Sequence, residues 1–209
     1  MFELFKGGLG LPLDERIDGG RVYVRPPADY DWQAWAELRE ASRAFLVPWE
    51  PTWPADCLTR TAYRRRLRHY AEEWHSGAGY AFFIFSKAND ALQGGITLSN
   101  VRRGVAQTGT LGYWVGKPYA RQGVMSGAIG CMLRFCFDTL RLHRVEAACL
   151  PRNGASRGVL LKAGFREEGL APKYLRINGE WEDHILFAML DHEAAALRAR
   201  EGLTSVDER

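Results

Sequence analysis

Tyr113-Trp114-Val115-Gly116-Lys117-Pro118-Tyr119-Ala120-Arg121-Gln122-Gly123-Val124-Met125-Ser126-Gly127-Ala128 is the stretch that decides the fold. It reads as the end of a strand, a tight glycine-containing loop and the start of a long helix. The first N–H groups of a helix have no intrahelical acceptor, and the dipole there is positive. Such an end binds phosphate, and Gly123, with no Cβ, lets a phosphate oxygen approach the backbone. The stretch therefore predicts a phosphorylated ligand.

Composition bounds the rest. A chain of 209 residues suits one well-buried domain or two small ones. Hydrophobic residues make up 46% and charged residues 25%, ordinary for a globular protein. A net charge of +3 is too small to imply nucleic-acid binding by itself. The cations are mostly Arg, which recognises phosphate and carboxylate bidentately. Cys57, Cys131, Cys136 and Cys149 show no metal-type spacing, and three of them lie in apolar runs, so buried free thiols are expected and no metal site is. Met1–Gly10 has no sustained apolar core and no run is long enough to span a membrane, so the expectation is a cytoplasmic protein.

Working outward from the quoted stretch, Gln107–Val115 predicts a strand and Met125–Leu140 a helix, with Val124, Ala128, Ile129, Met132, Phe135 and Cys136 on its buried face. Tyr80–Ser86 and Leu92–Ser99 predict a hairpin turning at Asn89-Asp90, followed by a polar loop over Asn100–Ala106. Arg21–Arg25 alternates like a strand, and Asp29 or Asp31 can cap a helix carrying Trp32 and Trp35. Phe45–Pro54 holds three prolines and two tryptophans and reads as a rigid, non-helical loop. Thr59 opens an arginine-rich helix to about His75. Downstream come a strand over Arg144–Leu150 and a short helix over Ala155–Ala163 closed by Gly164. A strand bent at Pro172 follows, then an Asn178-Gly179 turn and a last strand over Trp181–Leu190. The order predicts one α+β domain on a mixed, mostly antiparallel sheet, whose long helix crosses between two parallel neighbours. Boundaries are expected at an N-terminal extension over 1–20, a domain over 21–191 and a C-terminal tail over 192–209.

These residues resemble the GNAT superfamily of acyl-CoA-dependent N-acetyltransferases, on the RimJ/RimL side. The cofactor signature of that family, Arg/Gln-x-x-Gly-x-Gly/Ala, is matched by Arg121 to Ala128, with Gly127 one place late. Leu111-Gly112-Tyr113-Trp114-Val115 precedes it; Leu142 to Ala147, Asn153-x-x-Ser156, Lys162-Ala163-Gly164-Phe165 and Glu168-Gly169 follow in the family's order. Trp49-Glu50-Pro51-Thr52-Trp53-Pro54 looks like the RimJ branch. The resemblance implies a three-layer GNAT-like fold with a central splayed parallel strand pair. It implies acetyl-CoA as co-substrate, with its pyrophosphate on the backbone of Arg121, Gln122, Gly123, Val124, Met125 and Ser126. The pantetheine would run beside Tyr113, Trp114 and Val115, Asn153 would bond its amide, and Ser156 would lie by the sulfur and act as acid. The implied acceptor is an α-amino group at a protein N-terminus, that of a ribosomal protein in particular.

The same comparison exposes departures. The strand before the loop carries Gln107, Thr108 and Thr110 where many relatives have a Glu base; Leu160 stands where many have a Tyr acid, and Leu175 where the RimL branch has a Glu. An α-amino group has a pKa of about 8, so a water relay could suffice to deprotonate it. The base candidates on this chain are Glu50, Asp183 and His184. Each site residue also has a plainer reading. Asn153 and Ser156 can cap a helix, Glu50 can brace its loop, and His184 can be a satisfied strand histidine. Trp49 and Trp53 can be packing or an acceptor wall. The Arg60–Arg68 run can be a solvated face or a guide to the ribosome. A small-amine acetyltransferase and a non-catalytic ribosome-assembly factor remain as other functions, and an oligomer is compatible with the sequence.

Overall fold

The computed structural model describes residues 16–200. Along the chain run β1 (Ile17–Gly19), β2 (Val22–Arg25), α1 (Trp32–Ala41), α2 (Arg43–Leu46), α3 (Arg60–Ser76), β3 (Tyr80–Ser86), β4 (Leu92–Arg102) and β5 (Thr108–Val115). Then come α4 (Val124–Arg134), β6 (Arg144–Cys149), α5 (Gly154–Lys162), β7 (Arg166–Ile177), β8 (Glu180–Leu190) and α6 (Asp191–Arg200). One sheet takes the order β1-β2-β3-β4-β5-β6-β8-β7. Every neighbouring pair is antiparallel except β5 and β6, which α4 joins as a crossover.

Apolar patterning explains the layers. β3, with the sequence YAFFIFS, is buried at every position and divides its side chains between two cores. Phe82 and Ile84 join α4, β6 and β8 in one core, while Phe83 and Phe85 join Tyr23, Trp35, Tyr63 and Leu67 under α1 and α3 in the other. Each such side chain contributes roughly 1.5–3 kcal/mol on burial. Helices thus cover both faces of the sheet, as the resemblance implied.

Several elements differ from the sequence expectation. β1 lies within the stretch expected to be an extension, and pairs with β2 through Ile17–Gly19. Gly127 on α4 makes this approach possible, since a Cβ there would stand 2.9 Å from the Gly19 oxygen. At the other end Ala194 of α6 is buried in the α4-side core, and Leu197 packs against it. Residues 1–15 of the expected extension and 201–209 of the expected tail lie outside the described residues. Within Phe45–Pro54 the chain does form helical turns: α2 ends at Leu46 and a 3₁₀ turn follows over Val47–Trp49. Pro48 sits in the first turn, where its missing N–H is no loss. Asp31 precedes α1 but does not cap it; its carboxylate accepts from the Ala28 N–H at 2.8 Å and pairs with Arg25.

β4 runs on to Arg102 through an irregularity at Asn100, whose φ is 52°, so the loop before β5 is shorter than expected. The long helix is α only to Arg134; Phe135–Thr139 is a π turn with Leu140 N–H bonding Phe135 O at 2.9 Å. Phe135 there packs edge-on against Tyr80 and Phe82. Asn178 and Gly179 take φ of 45° and 92°, the left-handed pair that a two-residue hairpin turn requires.

Candidate active site

The parallel pair β5–β6 is zipped only from Thr108↔Arg144 to Leu111↔Ala147. Beyond that rung β5 stays with β4 while Ala148 and Cys149 stay with β8. The β6-facing backbone groups of Gly112–Val115 therefore have no strand partner, and a slot opens through the sheet. Strand alternation sends Tyr113 and Val115 toward the α4 core and Trp114 toward the α1–α3 core. The slot thus separates two differently built faces.

On the α4 face, Gly116–Gly123 turns back sharply, with Arg121 and Gly123 at φ of 61° and 79°. Gly123 is the N-cap of α4, so no side chain caps this end and its first N–H groups remain available. Val124 and Met125 bury their side chains, so they can offer a ligand only their backbone. Gln122 folds back, Nε2 donating to Pro118 O at 2.7 Å, and Arg121 is exposed. A cavity of ≈ 800 Å³ opens beside this helix end, with Arg21, Lys87, Gln93 and Gln122 in its wall.

Deeper on the same face, Asn153 caps α5 by accepting the Ser156 N–H on Oδ1 at 3.1 Å. That use leaves its amide NH₂ to donate elsewhere. Ser156 Oγ lies 2.9 Å from the Tyr113 hydroxyl, across the slot. Burial pushes the Tyr113 phenol well above its ordinary pKa, against the opposing effect of the Ser156 hydrogen bond. Burial also raises the Cys149 thiol, which Ser156 partly offsets by a hydrogen bond. Phenol and hydroxyl therefore meet at one point. Cys131 and Cys136 are buried free thiols away from it.

The opposite face holds a cavity of ≈ 370 Å³ between α1, α3, the Glu50–Leu58 loop and the strands β3–β5. Trp35, Trp53, Tyr70 and Trp114 are among its aromatic lining, which also takes in Phe82, Phe83 and Tyr113, and Arg39, Arg66 and Glu50 bring its charges. The Arg39 guanidinium is stacked between Trp53 and Trp114, 4.2 and 4.8 Å from their ring centres. It grips Glu50 bidentately at 2.9 and 2.5 Å, and Trp53 Nε1 donates to the same carboxylate at 2.8 Å. The hairpin tip closes one edge, Asn178 N–H bonding Glu50 O at 2.9 Å.

The sequence candidates separate accordingly. Glu50 reaches a cavity wall, but with three donors on its carboxylate. Asp183 Oδ1 accepts the Lys173 N–H at 2.9 Å, bracing β7 where Lys173 has a φ of 49°. His184 is buried, with Nδ1 3.0 Å from Glu182 O and Tyr174 edge-on at 5.8 Å. A carbonyl only accepts, so Nδ1 carries the proton and the lone pair of the neutral ring is on Nε2. Ile185, the next residue, pairs with Cys149 at the end of β6, which puts His184 one residue along from that rung. Sequence reasoning missed Arg39, Arg66 and Tyr70 as cavity residues; only the spacing of Arg39 one turn from Trp35, and of Arg66 and Tyr70 one and two turns from Tyr63, hinted at a shared helix flank.

A family model described as an acetyltransferase (GNAT) domain matches residues 21–166. The chain belongs to the GNAT acetyltransferase family. The Escherichia coli (strain K12) [ribosomal protein uS5]-alanine N-acetyltransferase is 32% identical over 174 residues, 83% of this chain and 90% of that protein. Among solved structures, the ribosomal-protein-S5-alanine acetyltransferase of Vibrio fischeri superposes with a TM-score of 0.78 at 32% identity, covering 84% of this chain and 96% of that one. Mycobacterium smegmatis RimJ, solved with CoA-disulfide, gives 0.81 at 32% identity over 90% and 93%. This GNAT enzyme is accordingly an acyl-CoA-dependent N-acetyltransferase, and its splayed β5–β6 pair is the family's fold feature.

Proposed function

We propose that the enzyme transfers acetyl from acetyl-CoA to the α-amino group of a protein N-terminus, a ribosomal protein foremost, by direct attack in a ternary complex. The observation that supports this reading is the slot at Gly112–Val115, with an aromatic cavity against one face and the uncapped N-terminus of α4 on the other. Donor and acceptor can occupy opposite faces and meet there. The donor's pyrophosphate would lie on the N–H groups from Arg121 to Ser126, with Arg21 adding positive charge nearby. Its pantetheine would pair with the open edge of Tyr113, Trp114 and Val115 as an added strand, with the Asn153 NH₂ on an amide oxygen.

The acceptor amine attacks the thioester carbon from the aromatic cavity. A strand N–H of Trp114 or Val115 stabilises the oxyanion, and Ser156 donates to the departing sulfur. Among the base candidates we assign the amine's proton to His184 through water. Its Nε2 lone pair supports this, whereas Glu50 and Asp183 are held by other donors. His184→Gln is expected to lower kcat/KM about tenfold or more; an unchanged kcat/KM returns the task to water.

The acceptor class is supported by charge. The cavity has two arginines against one carboxylate, which is already paired. A polyamine or aminoglycoside would meet net repulsion, whereas a peptide N-terminus brings one amine that attacks as the neutral form. The uS5-alanine specificity in the E. coli relative's name points the same way. Contact with RNA through α3 has weaker support than its composition suggests. Arg60 and Arg64 are tied to Asp29, and Arg65 to Asp56. The test is thiol release and acetyl incorporation with peptides beginning with Ala or Ser, beside spermidine. Peptide turnover with little on spermidine is expected; the reverse ranking contradicts the assignment.

A further inference from the structure

We infer that Tyr113 is a positioning residue that aims the Ser156 hydroxyl at the departing CoA sulfur. The inference rests on the proposed role of Ser156 and goes beyond it.

Ser156 has one proton and a freely rotating hydroxyl. The Tyr113 oxygen, 2.9 Å away, competes for that proton. If the serine hydroxyl donated to it, its proton would be spent on the phenol and not on a ligand in the slot. The chemistry of the pair decides the direction. A phenol is far more acidic than an alcohol, and it is the better donor of the two. Burial keeps the Tyr113 phenol protonated. The phenol O–H therefore donates to Ser156 Oγ, and the serine proton is released for a third partner.

Backbone geometry holds both members. Ser156 is fixed in the first turn of α5 by the Asn153 cap. Tyr113 stands on the half of β5 that has left β6 but remains paired to β4 through Ile96. The bond thus spans the slot between two rigid elements. Leu160, a turn further along α5, is fully buried and apolar and offers no proton. The phenol arrives instead from the strand.

In the step itself the C–N bond forms and the amine proton passes to water. The C–S bond then breaks with its electron pair going to sulfur. The Ser156 O–H donates a hydrogen bond to that thiolate without transferring its proton, and the Tyr113 O–H offsets the charge drawn from Ser156 Oγ. The thiolate takes its proton from solvent after release. Tyr113 never becomes a tyrosinate, which its buried site would oppose.

The test is a double-mutant cycle on the full chain with Tyr113→Phe and Ser156→Ala. Rates are read by CoA thiol release with an N-terminal peptide and, separately, with water as acceptor. Tyr113→Phe keeps the ring and is expected to lower kcat about tenfold while the KM for acetyl-CoA changes less than twofold. In the Ser156→Ala background the same change should cost less than twofold, because its target is gone. Ser156→Thr, which keeps the hydroxyl, should restore the dependence on Tyr113. Additive losses overturn the inference, as does a Tyr113→Phe variant that raises KM at constant kcat and so marks a mere pantetheine wall. CoA-induced thermal shifts establish that each variant folds. Should Tyr113→Phe fail that check, Tyr113→Met replaces it in the same cycle. The water reaction separates the two ideas: it still reports on sulfur departure if the peptide reading fails.

Discussion

The two faces of the slot are built by opposite means. The α4 face presents mainly backbone: a glycine N-cap, free N–H groups and an unpaired strand edge, with Asn153, Ser156 and Tyr113 contributing side-chain chemistry at the slot. The α1–α3 face presents side chains, with aromatic rings and a guanidinium gripped by Glu50. Backbone groups suit a ligand that is always the same, because their positions follow from the fold. Side chains suit a ligand that varies between enzymes, because they can change while the strands stay. On the proposed assignment of the faces, donor recognition is set by φ angles and acceptor recognition by residue identity.

The largest expected effect breaks the α4 face alone. Gly123→Val puts a β-branched residue at a φ of 79° and is expected to raise the KM for acetyl-CoA about 10–100-fold, leaving the peptide KM within twofold. Initial rates with each substrate varied check this, and equal damage to both constants would erase the distinction between the faces. Next, Trp53→Ala opens the other face. The peptide KM should rise about tenfold with the acetyl-CoA constants unchanged.

A third change asks whether Glu50 does chemistry or architecture. Glu50→Gln leaves Arg39 without its charge partner, and should lower stability by about 1–3 kcal/mol in denaturant melts while kcat stays within threefold. A loss of a hundredfold or more in kcat, with normal binding, would make Glu50 the base. The smallest effect concerns neither cavity. The Arg64 and Arg60 guanidiniums hold the Asp29 carboxyl well below the usual range. A depressed folded pKa contributes stability above the unfolded value, near 4, that is lost as pH falls through the folded one. Asp29→Asn should therefore flatten the fall in Tm below about pH 4 and leave the rate constants alone. An unchanged acid slope would place the sensitivity elsewhere.

The asymmetry between the faces also explains what could be read from the sequence. Period-2 alternation over 113–115 already assigns Tyr113 and Trp114 to different faces, and the glycine before α4 already marks a bare helix end. Both are local. The Arg39–Glu50–Trp53–Trp114 assembly joins residues from a helix, a proline-rich loop and a strand, and no window of sequence contains it. The same holds for Tyr113 and Ser156, 43 residues apart. β1 escaped because it has three residues, too few for a pattern, and Gly127 read as a displaced motif glycine because its contact is with that strand. The π turn escaped for a related reason: it retains helical periodicity in sequence while Phe135 packs against residues of β3.

The central claim is that both substrates occupy the slot together, one from each face. Initial rates over a matrix of acetyl-CoA and N-terminal alanine peptide concentrations test it most directly. Two faces and direct attack predict intersecting double-reciprocal lines, with CoA release only when the peptide is present beyond the slow reaction with water. Parallel lines, with a burst of CoA before peptide is added, would mean that an acetylated enzyme forms first, and would contradict the account.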